Sequence, residues 1–199
     1  MDLSYIDQAC TVYCQGTLLN NVQMSQIFAD SKTFVDMPML QDPSAILDAY
    51  NQLGQPTDPE ALTQFVNEHF AEAGSDLEQW NPDDWQEEPG FITGMADTYE
   101  YKDFARSLND LWSVLGRKTI SGVEENPQRH SYTPRPYPMV VPGGRFRESY
   151  YWDSYWIVRG LLLSDMHETA RLVILNFVED INNFGFVPNG ARIYYLDRS

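Results

Sequence analysis

Two Asp-Pro pairs set the first constraint on the fold. The stretch DPSAILDAYNQLG, residues 42–54, offers a capping carboxylate at Asp42 and a proline suited to a first helical turn at Pro43. Ile46, Tyr50 and Leu53 then recur at helical spacing, and Gly54 provides a stop. DPEALTQFVNEHFAEAG, residues 58–74, repeats the plan with Asp58, Pro59, an apolar stripe of Leu62, Phe65, Val66 and Phe70, and Gly74. Both spacings predict surface helices. A third helix is predicted over 101–115, with Phe104, Leu108, Leu111, Trp112 and Leu115 on one face, and a fourth begins within WDSYWIVRGLLL. The fifth has Asp165 and Glu168 as a capping-box-like start and a broad apolar face of Met166, Ala170, Val173, Ile174, Phe177 and Ile181 before Gly185. Strand signals are scarce, so the fold class expected from the pattern is all-α.

Between the helices lie acidic, Pro- and Gly-bearing segments, EQWNPDDWQEEPGF and ENPQRHSYTPRPYPMVVPGG, which read as long loops. Loops of that length in a compact domain usually do something, and these carry Trp80, Trp85, Tyr132 and Tyr137. A formal charge of -16 opposes a nonspecific grip on nucleic acid or on an anionic membrane surface. No apolar run approaches the roughly 20 residues that span a bilayer, and MDLSYIDQAC lacks the basic-then-apolar pattern of a secretory signal. Cys10 and Cys14 leave two readings open, a local disulfide or two free thiols, and they lack partners for a zinc site. The three histidines, His69, His130 and His167, lie in unrelated segments and suggest no catalytic constellation.

The densest chemistry is in PGGRFRESYYWDSY, Pro142–Tyr155. The two glycines permit a sharp turn at positive φ, so the residues after them are presented rather than buried in a regular element. Arg145 brings a fixed fork of donors, Phe146 and Trp152 bring flat apolar faces, and Asp153 accepts from hydroxyls. A pyranose, with apolar C–H faces and an equatorial fringe of hydroxyls, needs that mixture; an ion pair beside a packed aromatic rim is the alternative. Glu148 and Asp153 could be read as the two acids of a glycosidase, yet closeness in sequence says nothing of their separation across a glycosidic bond.

This run resembles the trehalase signature at every fixed position: Pro-Gly-Gly-Arg-Phe, a Glu, a Tyr, Trp-Asp and a Tyr. DSKTFVDM, Asp30–Met37, resembles the opening segment of trehalases, CQGTLLNNVQ before it is similar to the animal branch, and FGFVPNGARIYYLDRS, Phe184–Ser199, resembles the segment that brings further sugar ligands. The resemblance implies an (α/α)6 barrel of paired helices, of which residues 1–199 would be the N-terminal part of a single catalytic domain truncated at its C-terminus. It implies hydrolysis of α,α-trehalose to two glucose molecules with inversion, without metal or cofactor. Arg145, Phe146, Trp152 and Asp153, with Asn189, Arg198 and Ser199, would contact sugar, and Gly190 would keep a turn open. The general acid Asp and general base Glu are expected beyond Ser199, so the chain alone is expected to be inactive. Missing neighbours would leave apolar faces such as Val173–Phe177 open. Animal members of this family are commonly secreted or surface-attached, which is the expected location. A non-catalytic sugar-binding or purely structural helical module is the competing expectation.

Overall fold

The computed structural model describes residues 3–98 and 100–197. Ten α-helices are found among them: α1 (Ser4–Tyr13), α2 (Thr17–Ser25), α3 (Lys32–Val35), α4 (Pro43–Gln52), α5 (Pro59–His69), α6 (Gly90–Thr93), α7 (Lys102–Leu115), α8 (Ser121–Glu125), α9 (Tyr151–Leu163) and α10 (His167–Phe184). The chain is mostly helical, as the periodicities indicate. It also carries a small antiparallel sheet that they do not indicate, β1 (Leu77–Gln79), β2 (Gly116–Thr119) and β3 (Met139–Val140), in the order β1-β2-β3. Glu78 opposes Lys118, and Arg117 opposes Gln79 on one side and Met139 on the other. No helix among the described residues is long and apolar enough to cross a membrane.

The chain divides into two compact units. The first comprises the stretch ending at Asp76, Ile120–Pro134 and Ala191–Leu196. Its apolar core takes Tyr5, Ala9, Val12 and Tyr13 from α1, Ile46 and Tyr50 from α4, and Leu62, Phe65 and Val66 from α5. The two Asp-Pro helices therefore bury the stripes read from their spacing. Asp58 caps as expected, its Oδ2 accepting from the Ala61 N–H at 3.0 Å. Asp42 holds the N-cap position without capping, because its carboxylate accepts from Gln128 and Arg129 instead. Leu53 lies beyond the end of α4 and is exposed. Cys10 and Cys14, one turn apart, are joined in a disulfide.

A buried charge cluster lies in the same unit. Arg192 is fully buried, and its Nη1 stands 2.7 Å from Asp76 Oδ2 and 3.0 Å from Ser131 Oγ. Its Nε lies 3.5 Å from Asp36, which also pairs with Lys32 at 2.6 Å. His130 Nδ1 meets the other oxygen of Asp76 at 2.6 Å. Buried charges persist only when paired and hydrogen-bonded. Burial pushes the Asp76 carboxyl upward, but the charge of Arg192 and then the bond and charge of His130 outweigh it and hold the group below its usual range.

The second unit comprises Leu77–Thr119 and Arg135–Gly190, with Asp197. Val140, Leu161, Met166, Ala170 and Val173 form its core, with Trp85, Trp112 and Phe177 packed against them. Helices α9 and α10 form a hairpin, and Arg135 pairs with Asp180 of α10. A side chain at Gly160 would put its Cβ 2.7 Å from the Trp112 ring, so glycine is what lets the indole lie against α9, where its Nε1 donates to Ser164 Oγ.

One expectation is overturned here and two are met in part. Asp165 and Glu168 do not form a capping box. Asp165 has φ +59° and accepts from the Gly90 N–H, Glu168 pairs with Arg171, and the free N–H of Thr169 in the first turn of α10 donates to Asp84 from the distant acidic loop. The apolar positions left open are only in part those expected. Val173 is buried and Phe177 half-buried, whereas Ile174, Val178 and Ile181 of α10 are exposed. On α7, Trp112 and Leu115 of the expected stripe pack against the core, whereas Phe104, Leu108 and Leu111 are exposed and Lys102, Ala105 and Asn109 are buried. Asn109 is held there by the acidic loop, its Nδ2 donating to the Gln86 backbone oxygen and its own backbone oxygen accepting from Trp85 Nε1.

Two outcomes follow for stability. Asp58→Ala removes one cap bond and lowers stability by about 1 kcal/mol, read as a shift in the urea midpoint. Asp76→Asn strips a buried cation of one partner and costs about 3 kcal/mol, the low end for breaking such a pair, since Asp36 still faces Arg192. Because the folded-state value of Asp76 is depressed, its contribution is complete above about pH 4, the ordinary carboxylate value, and is lost as pH falls through the lower folded value. An acid titration should therefore show a shallower loss of stability below that pH in Asp76→Asn than in the wild type.

Candidate functional site

Pro142 leads into a tight turn. Gly143 (φ +97°) and Gly144 (φ +61°) are both left-handed, and Gly143 and Phe146 exchange backbone hydrogen bonds of 3.2 and 3.1 Å. The left-handed backbone angle at Gly143 favours glycine, and a Cβ there would also stand 2.9 Å from Leu115 Cδ2, which would have to move. The turn is as read from the sequence, and it leaves Arg145 and Phe146 exposed. The Arg145 guanidinium lies 5.6 Å from the centroid of the Phe146 ring, within cation–π range.

The chain then descends. Glu148 is fully buried, Ser149 and Tyr150 are buried, and α9 begins at Tyr151. Trp152 and Asp153 occupy the first turn of α9, where a carboxylate is favoured by the helix dipole. Trp152 is 70% exposed, an unusual setting for an indole in a helix that also supplies a core, and Asp153 is half-buried.

Asn189 arrives from the far end of α10. Tyr150 and Gly190 form an antiparallel bridge, and the Tyr151 N–H donates to Asn189 O at 3.1 Å. The Asn189 N–H donates in turn to Asp197 O at 2.9 Å. The backbone of Asn189 is thus fixed on both sides, and its amide side chain is half-exposed beside the start of α9. Five of the sequence-derived candidates, Arg145, Phe146, Trp152, Asp153 and Asn189, belong to elements joined by these bonds. Arg198 and Ser199 lie outside the described residues.

Tyr150 was not among the candidates, yet it links these elements. Its hydroxyl donates to Glu148 Oε1, and its ring meets the Phe146 ring edge-on, with centroids 5.4 Å apart at 89°. The only signal in the sequence was its place in the motif. A groove of about 880 Å³ beside this turn was also not foreseen. Tyr151, Trp152, Tyr155 and Trp156 line one side and Phe177 the other, and Arg159 lies 5.7 and 5.8 Å from the rings of Tyr155 and Trp156. Aromatic pairs at 151/155 and 152/156 carry the i, i+4 signal of such a wall. The groove is lined mainly by apolar and aromatic side chains with Arg159, and of the sequence-derived candidates Trp152 is the one in its lining.

The family model described as Trehalase matches residues 26–199. Curated relatives include "Trehalase" of Apis mellifera, 46% identical over 193 residues, covering 94% of this chain and 30% of the relative. "Trehalase" of Homo sapiens is 43% identical over 192 residues, covering 94% of this chain and 33% of the relative. "Trehalase" of Dictyostelium discoideum is 45% identical over 196 residues, covering 94% and 32%. The chain thus spans about a third of the length of the curated relatives that it matches. With a family match across most of its length and the signature folded into a single turn-and-helix unit, the chain belongs to the trehalase family.

Proposed function

We propose that this chain supplies part of the glucose-binding pocket of an α,α-trehalase, which hydrolyses trehalose to two glucose molecules with inversion. The observation that carries the reading is the pairing of Tyr150 and Tyr151 with the Asn189–Gly190 segment, which joins the Arg145–Phe146 turn, the Trp152–Asp153 turn of α9 and Asn189 into one assembly. Arg145 and Asn189 bind hydroxyls, Phe146 and Trp152 stack on sugar faces, and Asp153 accepts from a hydroxyl. Arg198 and Ser199 complete this set by the same reading.

Inversion uses one carboxylic acid to protonate the linking oxygen and one carboxylate to activate water on the opposite face, the two held roughly 6.5–9.5 Å apart. Both acids are contributed by parts of the enzyme outside this chain. The acids within the motif have other tasks, and Glu148 already receives the Tyr150 hydroxyl. Arg145 and Arg198 would keep the general base ionised through nearby positive charge.

The two units are parts of one catalytic domain with the (α/α)6 architecture. The helix hairpin α9–α10 and the exposed apolar positions on α7 and α10 support this, since they suit packing against further helices.

Glucose release from trehalose tests the reading. It is expected from a longer enzyme carrying this sequence and not from the 199-residue chain by itself; release by the chain alone would move the catalytic acids to Glu148 and Asp153. In the longer enzyme, Arg145→Ala is expected to lower turnover by about 100-fold or more while leaving the melting temperature nearly unchanged, because the side chain is exposed. Unchanged turnover would sink the assignment.

A further inference from the structure

We infer that Glu148 is a positioning residue, which holds the two halves of the sugar site in register through Tyr150. The inference rests on the reading of Arg145, Phe146 and Asn189 as sugar-contacting residues. Glu148 is the one carboxylate of the motif with no exposed surface, and a carboxylate is placed there only when it is hydrogen-bonded. Its Oε1 accepts the Tyr150 hydroxyl, a charge-assisted bond of the strong class.

Tyr150 then reaches both halves of the site. Its ring stands edge-on to Phe146, whose other neighbour is the Arg145 guanidinium. Its backbone forms the bridge with Gly190, one residue from Asn189. Its carbonyl accepts from Ser154 Oγ at 2.6 Å and from Ser154 N at 3.0 Å, which ties the same residue to the first turn of α9, where Trp152 and Asp153 are. Fixing the phenol fixes the ring plane, and the ring plane sets where Phe146 rests and hence where the guanidinium can lie. Glu148 is two residues from Tyr150 in sequence and makes none of the presented surface, and its bond to the tyrosine links it to that surface.

Three variants of the chain separate this role from a general contribution to folding. Tyr150→Phe keeps the ring and removes only the hydroxyl, Glu148→Gln keeps an acceptor oxygen without the charge, and Glu148→Ala removes both. Amide hydrogen exchange is read at Phe146 and Tyr151, the two N–H groups bonded across the turn and to Asn189, with Val173 in the core as the distant reference. Tyr150→Phe and Glu148→Ala are expected to speed exchange at Phe146 and Tyr151 about tenfold or more with Val173 unchanged, and Glu148→Gln to restore protection to within about threefold of wild type. Wild-type protection at both amides in Tyr150→Phe overturns the inference, as does equal acceleration at all three amides. Trehalose binding by the wild-type chain is scored separately. Absence of binding counts against the sugar-site reading, while the exchange pattern decides the positioning role.

Discussion

One buried guanidinium carries much of the first unit. Arg192 gathers Asp36, Asp76, Ser131 and the ring of Tyr132, residues from the other two stretches of the unit, around a group with no exposed surface. Removing a charge from water is costly, and close charged and hydrogen-bonding partners offset it. The cluster therefore specifies one arrangement of these stretches, since any other would leave a charge unpaired. Asp76 is the last residue of the first stretch before the chain leaves the unit, and His130 and Ser131 belong to the segment on its return. The apolar core of α1, α4 and α5 supplies the larger share of burial. The ion cluster supplies the register.

In the second unit a different economy operates. The elements of its site are held by main-chain bonds, the Gly143–Phe146 turn, the Tyr150–Gly190 bridge and the bond from Tyr151 to Asn189. Backbone bonds leave side chains available to a ligand, and such pre-placement lowers the ordering cost of binding. A surface that exposes Trp152 and Phe146 while burying the glutamate beneath them is arranged to present apolar faces and polar tips together.

Much of this was legible in the sequence, for identifiable reasons. The helices starting at Pro43 and Pro59 were found because caps, proline and periodicity agree within a dozen residues, and the glycine turn because only one residue type tolerates its angles. The misses share one cause, partners that are distant in sequence. Asp42 turned from its own helix to Arg129, and Asp84 replaced Asp165 at the start of α10. The sheet escaped because strands of two to four residues are too short to show alternation. The stripe on α7 meets the core only through Trp112 and Leu115, because local periodicity identifies an apolar face without saying how much of it is covered. Within the site, the motif marked the residues that present themselves, while the Glu148–Tyr150 bond that supports them became visible only with coordinates.

The central claim is that Arg145, Trp152 and Asn189 bind one sugar. The most direct measurement is a trehalose titration of isotopically labelled protein, following the side-chain nitrogen signals of those three residues with Trp85, which packs against the core, as the internal control. The account predicts that the three signals shift together and saturate at a common concentration while Trp85 stays still. Three independent saturation curves, or no movement at Trp152 and Asn189, would contradict it.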